Sequence, residues 1–134
     1  MRQVIVNTIK SKIYGNGRGW CFTPKHFIGV GNEASIRQVL ARLVNDKFIR
    51  RLAQGLYEYP REHSKLGLLP PQLDHIAKAI SERDSIRIQP TGAYAANLIG
   101  LSEQVPGKVV FLTDGAAKKI KIGNQEVIFK KTTL

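Results

Sequence analysis

One stretch constrains this chain more than any other: residues 32–45, NEASIRQVLARLVN. Ile36, Val39, Leu40, Leu43 and Val44 recur at the i, i+3, i+4, i+7, i+8 spacing of a helix that buries one face. Ser35, Gln38, Arg42 and Asn45 line up on another face, with Arg37 and Ala41 beside them. Hydroxyl, amide and guanidinium groups bond phosphates and base edges, and small residues between them permit close approach. Residues 48–59, FIRRLAQGLYEY, follow directly and read as two short strands around a turn. Gly55 supplies the positive φ such a turn needs. Pro60 cannot donate to a strand ladder and ends the second strand. A helix followed by a basic hairpin is the order of a winged helix-turn-helix, so the segment is expected to bind double-stranded DNA.

The residues before it complete that order. Val4, Ile5, Thr8, Ile9 and Lys12 predict an amphipathic first helix over 2–13. Three glycines in residues 14–19, YGNGRG, predict a turn. Residues 20–22 are apolar and fit a short strand pairing with the later hairpin. Thr23 as N-cap and Pro24 at the first helical position start a short second helix, closed by Gly29 and Gly31. Asn32 then caps the organising helix, and Glu33 suits the positive end of its dipole.

The expected fold class is α+β: a winged helix-turn-helix domain over 1–61, a linker over 62–70 and a small α+β domain over 71–134. Gly67 and the Pro70–Pro71 pair mark the linker. Beyond it the pattern predicts a helix from 73 to 83, a strand at 85–89, a helix at 91–99 and a strand at 108–113. A final hairpin pairs 118–122 with 126–131. The chain stops two or three residues after that strand without a capping element, which predicts a natural continuation beyond its C-terminus.

Charge enters next. The 134 residues carry a formal charge of +11, which favours an anionic partner. Residues 1–60 hold ten Lys/Arg against three Asp/Glu, and residues 71–134 hold nine against six, so the excess sits with the helix and hairpin. Cys21 is the only cysteine, which excludes an intramolecular disulfide and a cysteine-based zinc site within the chain. No run approaches the roughly 20 apolar residues of a membrane span, so no membrane partner is expected. The N-terminus makes a poor signal peptide, and the expected location is the cytoplasm.

Catalysis is not expected. Gly15, Gly17 and Gly19 lack the spacing of a dinucleotide fingerprint, and no phosphate-binding GxxxxGK[ST] occurs. His26, His63 and His75 share no metal-ligand spacing, and the few carboxylates are too scattered for a two-metal site. No metal and no cofactor is expected. Cys21, between aromatics, reads as a small buried hydrophobe, and Tyr14, Trp20 and Phe22 as core or strand residues. For DNA, Ser35, Arg37, Gln38, Arg42 and Asn45 would face the major groove. Thr23 and Lys25 would contact phosphate from the short helix, and Arg50, Arg51 and Gln54 from the hairpin. Two readings compete: a protein-interaction module docking an acidic partner, and a nuclease, which the carboxylate shortage disfavours.

These residues also carry a resemblance. GWCFTPKHF at 19–27, LARL at 40–43 and IRRLAQGLYEYP at 49–60 resemble the N-terminal winged-helix domain of AbiEi-type antitoxins of bacterial type IV, or abortive-infection, toxin–antitoxin systems. The resemblance continues through QPTGAYAANLIGL at 89–101 and SEQVPG at 102–107 to LTDG at 112–115; the R-x-x-x-G-[LI]-Y-x-x-P pattern from Arg51 to Pro60 is its most specific part. It implies a non-enzymatic, bacterial, cytoplasmic antitoxin. Its first domain would bind inverted repeats at its own promoter and repress the operon. Its second would counter a nucleotidyltransferase-like toxin without a stable complex.

Overall fold

In the computed structural model, which describes residues 2–91 and 108–132, the chain is mixed α+β and divides into two units, 1–79 and 80–134. The first unit opens with helix α1, Arg2–Asn16. It runs through Gly15 and past the expected end because Asn16 bonds back to the Lys12 carbonyl through its side-chain amide, 2.8 Å. Gly17, at φ 84°, then takes the left-handed position that stops a helix, its N–H donating to the Ile13 carbonyl at 3.2 Å. The buried face of α1 is Val6, Ile9 and Ile13. Val4, expected on that face, is instead 65% exposed: the true stripe lies about a quarter of a turn round, and Val4 and Thr8 stand outside it.

Strand β1 (Cys21–Phe22), a single turn of 3-10 helix (Pro24–Phe27), helix α2 (Glu33–Asn45), strand β2 (Arg50–Ala53) and strand β3 (Leu56–Glu58) follow. The three strands form an antiparallel sheet in the order β1-β3-β2, with Cys21 opposite Glu58 and Arg50 opposite Glu58 on the other side. One core joins these elements. Val6, Ile9 and Ile13 of α1 meet Ile36, Val39, Leu40 and Leu43 of α2, and Phe22, Phe27, Ile49, Tyr57 and Tyr59 close it. Phe22 is the aromatic hinge of that core, 5.5 Å from the Phe27 ring and 6.0 Å from the Tyr57 ring. At about 1.5–3 kcal/mol for each fully buried apolar side chain, this cluster is what fixes α2 against the sheet.

Residues 62–70, expected as a connector, contain a short exposed hairpin, β4 (Glu62–His63) with β5 (Gly67–Leu68). The His63 ring closes it, Nδ1 accepting from the N–H of Lys65 at 3.1 Å and of Leu66 at 3.2 Å. Helix α3 spans Leu73–Asp84.

In the second unit, α3 ends where Ser85 turns left-handed at φ 55° and the Ile86 N–H returns to the Ser81 carbonyl, 3.1 Å. That turn displaces the following strand, expected at 85–89, to β6 at Ile88–Pro90. With β7 (Lys108–Thr113), β8 (Lys118–Ile122) and β9 (Gln125–Lys131) it makes a four-stranded sheet in the order β6-β7-β9-β8, in which β7 and β9 run parallel. Val109 pairs with Val127 and Phe111 with Phe129 in register, so all four fall on one face, buried. The helix expected at 91–99 lies, apart from Thr91, outside the described residues.

Candidate nucleic-acid interface

The site begins with the cap of α2. Asn32 adopts an extended backbone, φ −75° and ψ 162°, and its Oδ1 accepts from the Ser35 N–H at 2.8 Å, satisfying one of the donors a helix start leaves unpaired. Burying Ile36, Val39, Leu40 and Leu43 fixes the rotation of the helix. At about 100° per residue the opposite side is then a row of Ala34, Gln38, Ala41 and Asn45, all exposed. Arg37 stands along one edge of that row and Arg42 along the other. Ser35 is half-buried and only borders the face on the Arg42 side. Four of the five α2 residues expected to face a groove, Arg37, Gln38, Arg42 and Asn45, therefore share one outer surface.

Each edge arginine has an acidic neighbour one turn away. Arg37 Nη2 donates to Glu33 Oε1 at 2.9 Å, and Arg42 Nε lies 3.9 Å from Asp46 Oδ2. All four side chains are more than half exposed. Such exposed i, i+4 pairs are worth about 0.3–0.5 kcal/mol, less than a charge-assisted bond to a phosphate at roughly 1.5–3 kcal/mol. Either guanidinium can leave its neighbour for a phosphate at small cost.

The hairpin separates its two adjacent arginines. Arg50 does not extend towards solvent. It donates to Glu58 Oε1 through Nε at 3.0 Å and through Nη2, and Nη2 also donates to the Leu69 carbonyl at 2.8 Å. Glu58 is completely buried, and its Oε2 has no polar partner among the described residues. A buried carboxylate that lost Arg50 would be left charged in an apolar setting, so Arg50 is committed to the fold. It is therefore not available for the phosphate contact expected of it. Arg51 is exposed and has no ion-pair partner among the described residues. Gln54 is exposed at the two-residue turn, where Gly55 holds φ 70°. A bulge between Arg51 and Ala53 breaks the regular alternation of β2.

Thr23 is likewise closed to the phosphate contact expected of it. It is fully buried at the start of the 3-10 turn, its N–H donating to His26 Nδ1 at 3.1 Å and its Oγ1 2.9 Å from the same nitrogen. Lys25, beside it, is exposed. Of the residues expected to touch DNA, those left exposed are Lys25, Arg37, Gln38, Arg42, Asn45, Arg51 and Gln54. Sequence reasoning passed over two further exposed residues on or just after α2. Ala34 lies in the central row, and the period that placed Gln38 there also places it. Lys47 is exposed in a left-handed backbone, φ 61°, just after α2, and no sequence pattern announces that conformation for a lysine.

Cys21 is buried, and burial, then the nearby Glu58 carboxylate, push its thiol well above the ordinary range; it is not an activated nucleophile. Among the described residues no group of three or more His, Cys, Asp or Glu could hold a metal ion, and no helix is long and apolar enough to cross a membrane. Unit 1 carries thirteen Lys/Arg against five Asp/Glu, and unit 2 eight against five.

These features define a class: a two-unit α+β protein whose first unit presents a polar helix face edged by arginines and followed in the chain by a short hairpin. The chain belongs to the DUF6088 family, a family of unknown function, whose signature matches residues 7–134. No curated protein and no solved structure matches it.

Proposed function

We propose that the first unit is a winged helix-turn-helix that binds double-stranded DNA, and that the protein is an antitoxin and autoregulator of its own type IV toxin–antitoxin operon. The observation that carries the DNA reading is the outer face of α2. The core fixes its rotation so that amides, methyl groups and two arginines share the one surface a groove could accept. The element order supports it: helix, strand, short helix, helix and hairpin, with strands in the order β1-β3-β2, is the order expected of a winged helix. The charge excess of the first unit supports a polyanion partner. The antitoxin role rests on the resemblance of residues 19–27, 40–43 and 49–60 to AbiEi-type antitoxins. In that role the second unit counters a nucleotidyltransferase-like toxin without forming a stable complex.

Fluorescence anisotropy with DNA from upstream of this gene, against a scrambled duplex over a salt series, tests the reading. A preference of about a hundredfold or more for the upstream duplex is expected of a specific repressor. Equal, weak binding to both duplexes that collapses with salt would reduce the surface to a basic patch. The docking of an acidic protein partner would then lead.

A further inference from the structure

The order of residues across the outer face of α2 also bears on which base pairs it would meet, an inference that rests on the DNA reading above. The middle row, Ala34, Gln38, Ala41 and Asn45, holds two amides and two methyl groups and no charge. Charge lies only on its edges, at Arg37 and Arg42, each beside a carboxylate one turn away. In the major groove adenine offers the N7 acceptor and the N6 donor together, which a single side-chain amide matches with its N–H and C=O. Thymine offers its C5-methyl, an apolar contact for an alanine methyl. Guanine offers two acceptors, which call for the two-donor fork of arginine. The groups at the centre of the row are therefore those that recognise A·T pairs. Gln38 and Asn45 are seven residues apart, about 10 Å along the axis at roughly 1.5 Å per residue. A helix lying in the major groove meets about three successive base pairs over that interval.

We propose that α2 selects A·T pairs. Gln38 and Asn45 take the adenine edges, Ala34 and Ala41 meet thymine methyls, and Arg37 and Arg42 grip the phosphates on either side without base preference.

The test is selection by the full-length protein from a duplex pool with a randomised core, followed by anisotropy on the enriched duplex. Cores enriched in A·T pairs are expected. Exchanging a contacted adenine for 7-deazaadenine deletes the N7 acceptor and leaves the minor groove unchanged. That exchange should lower affinity about tenfold, the scale of one lost hydrogen bond that leaves the side-chain amide N–H unpaired. In the Gln38→Ala variant the exchange should become silent at one position, and in Asn45→Ala at another. Arg37→Ala and Arg42→Ala should instead weaken every duplex alike, each lowering the salt slope by about one. Three results would overturn the assignment: enriched G·C cores whose preference vanishes in Arg42→Ala, an A·T preference indifferent to 7-deazaadenine, or tight duplex binding without composition preference. Failure to bind any duplex would overturn the DNA reading itself along with it.

Discussion

Two places in the first unit carry arginine beside a carboxylate, and they use the pairing in opposite ways. On α2, Arg37 and Arg42 face Glu33 and Asp46 with all four side chains largely in water. At the root of the β2–β3 hairpin, Arg50 faces a Glu58 that has no exposed surface at all. In water the attraction is screened and the desolvation cost is small, so the α2 pairs contribute little to stability and dissolve readily. In the sheet, the carboxylate has no water to return to, so the guanidinium cannot leave without heavy cost. The same residue type is thus available to a ligand in one place and part of the framework in the other. Adjacent positions make the contrast sharpest, because Arg51, next to Arg50, is exposed.

The largest expected effect breaks the framework side of this comparison. Arg50→Ala should lower the stability of the first unit by about 3 kcal/mol or more, the cost of stranding a buried partner, read as a fall in the urea midpoint. Arg51→Ala should stay within about 0.5 kcal/mol of the parent protein. The next prediction sharpens the ligand side. Arg51→Ala should weaken binding to all duplexes alike, reducing the slope of log affinity against log salt by about one; an unchanged slope would remove Arg51 from the interface. Loss of the α2 cap comes third. Asn32→Ala should cost about 1 kcal/mol, measured by thermal unfolding, and Asn32→Asp should restore most of it.

A pH effect belongs to the second unit, where a carboxylate holds cations within the fold. Asp84 accepts from Arg83 at 2.8 Å and from Lys118 at 2.6 Å. The hydrogen bond from Arg83, with that from Lys118 and against the opposing effect of burial, holds its carboxyl at about 2, below an ordinary 3.8. A depressed acid stabilises the fold while it is ionised, so this contribution is complete above the ordinary value and fades as pH falls towards about 2. Asp84→Asn should flatten the acid limb of the stability profile between those limits and leave duplex binding at neutral pH unchanged.

Much of this architecture was legible in the chain itself. Asn32 followed by apolar residues at helical spacing gives α2 and its cap, because a capped amphipathic period has few alternatives. Thr23–Pro24 gives the start of the short helix, and Gln54–Gly55 the hairpin turn. Other features depend on partners distant in sequence. The burial of Arg50 needs Glu58 across the hairpin and the Leu69 carbonyl beyond it, and neither relation has a local signature. Thr23 starts the 3-10 turn as its residue type predicts, yet it is buried and not open to phosphate, because buried Phe22 and Phe27 on either side draw the turn into the core. The phase of α1 is not legible locally, because its apolar residues fit more than one stripe and only packing against α2 selects Val6, Ile9 and Ile13. The left-handed Ser85, which delays β6, is invisible in a residue type that rarely adopts that backbone.

The central claim is that the outer face of α2 and the tip of the neighbouring hairpin form one DNA-binding surface. Backbone amide NMR of the full-length protein during titration with duplex DNA tests it most directly. Resonance shifts clustered at Ala34, Arg37, Gln38, Ala41, Arg42, Asn45, Arg51 and Gln54, with the amides of Arg50 and Thr23 moving less than their exposed neighbours, are the predicted result. Shifts centred elsewhere, or none from α2 at duplex saturation, would contradict it.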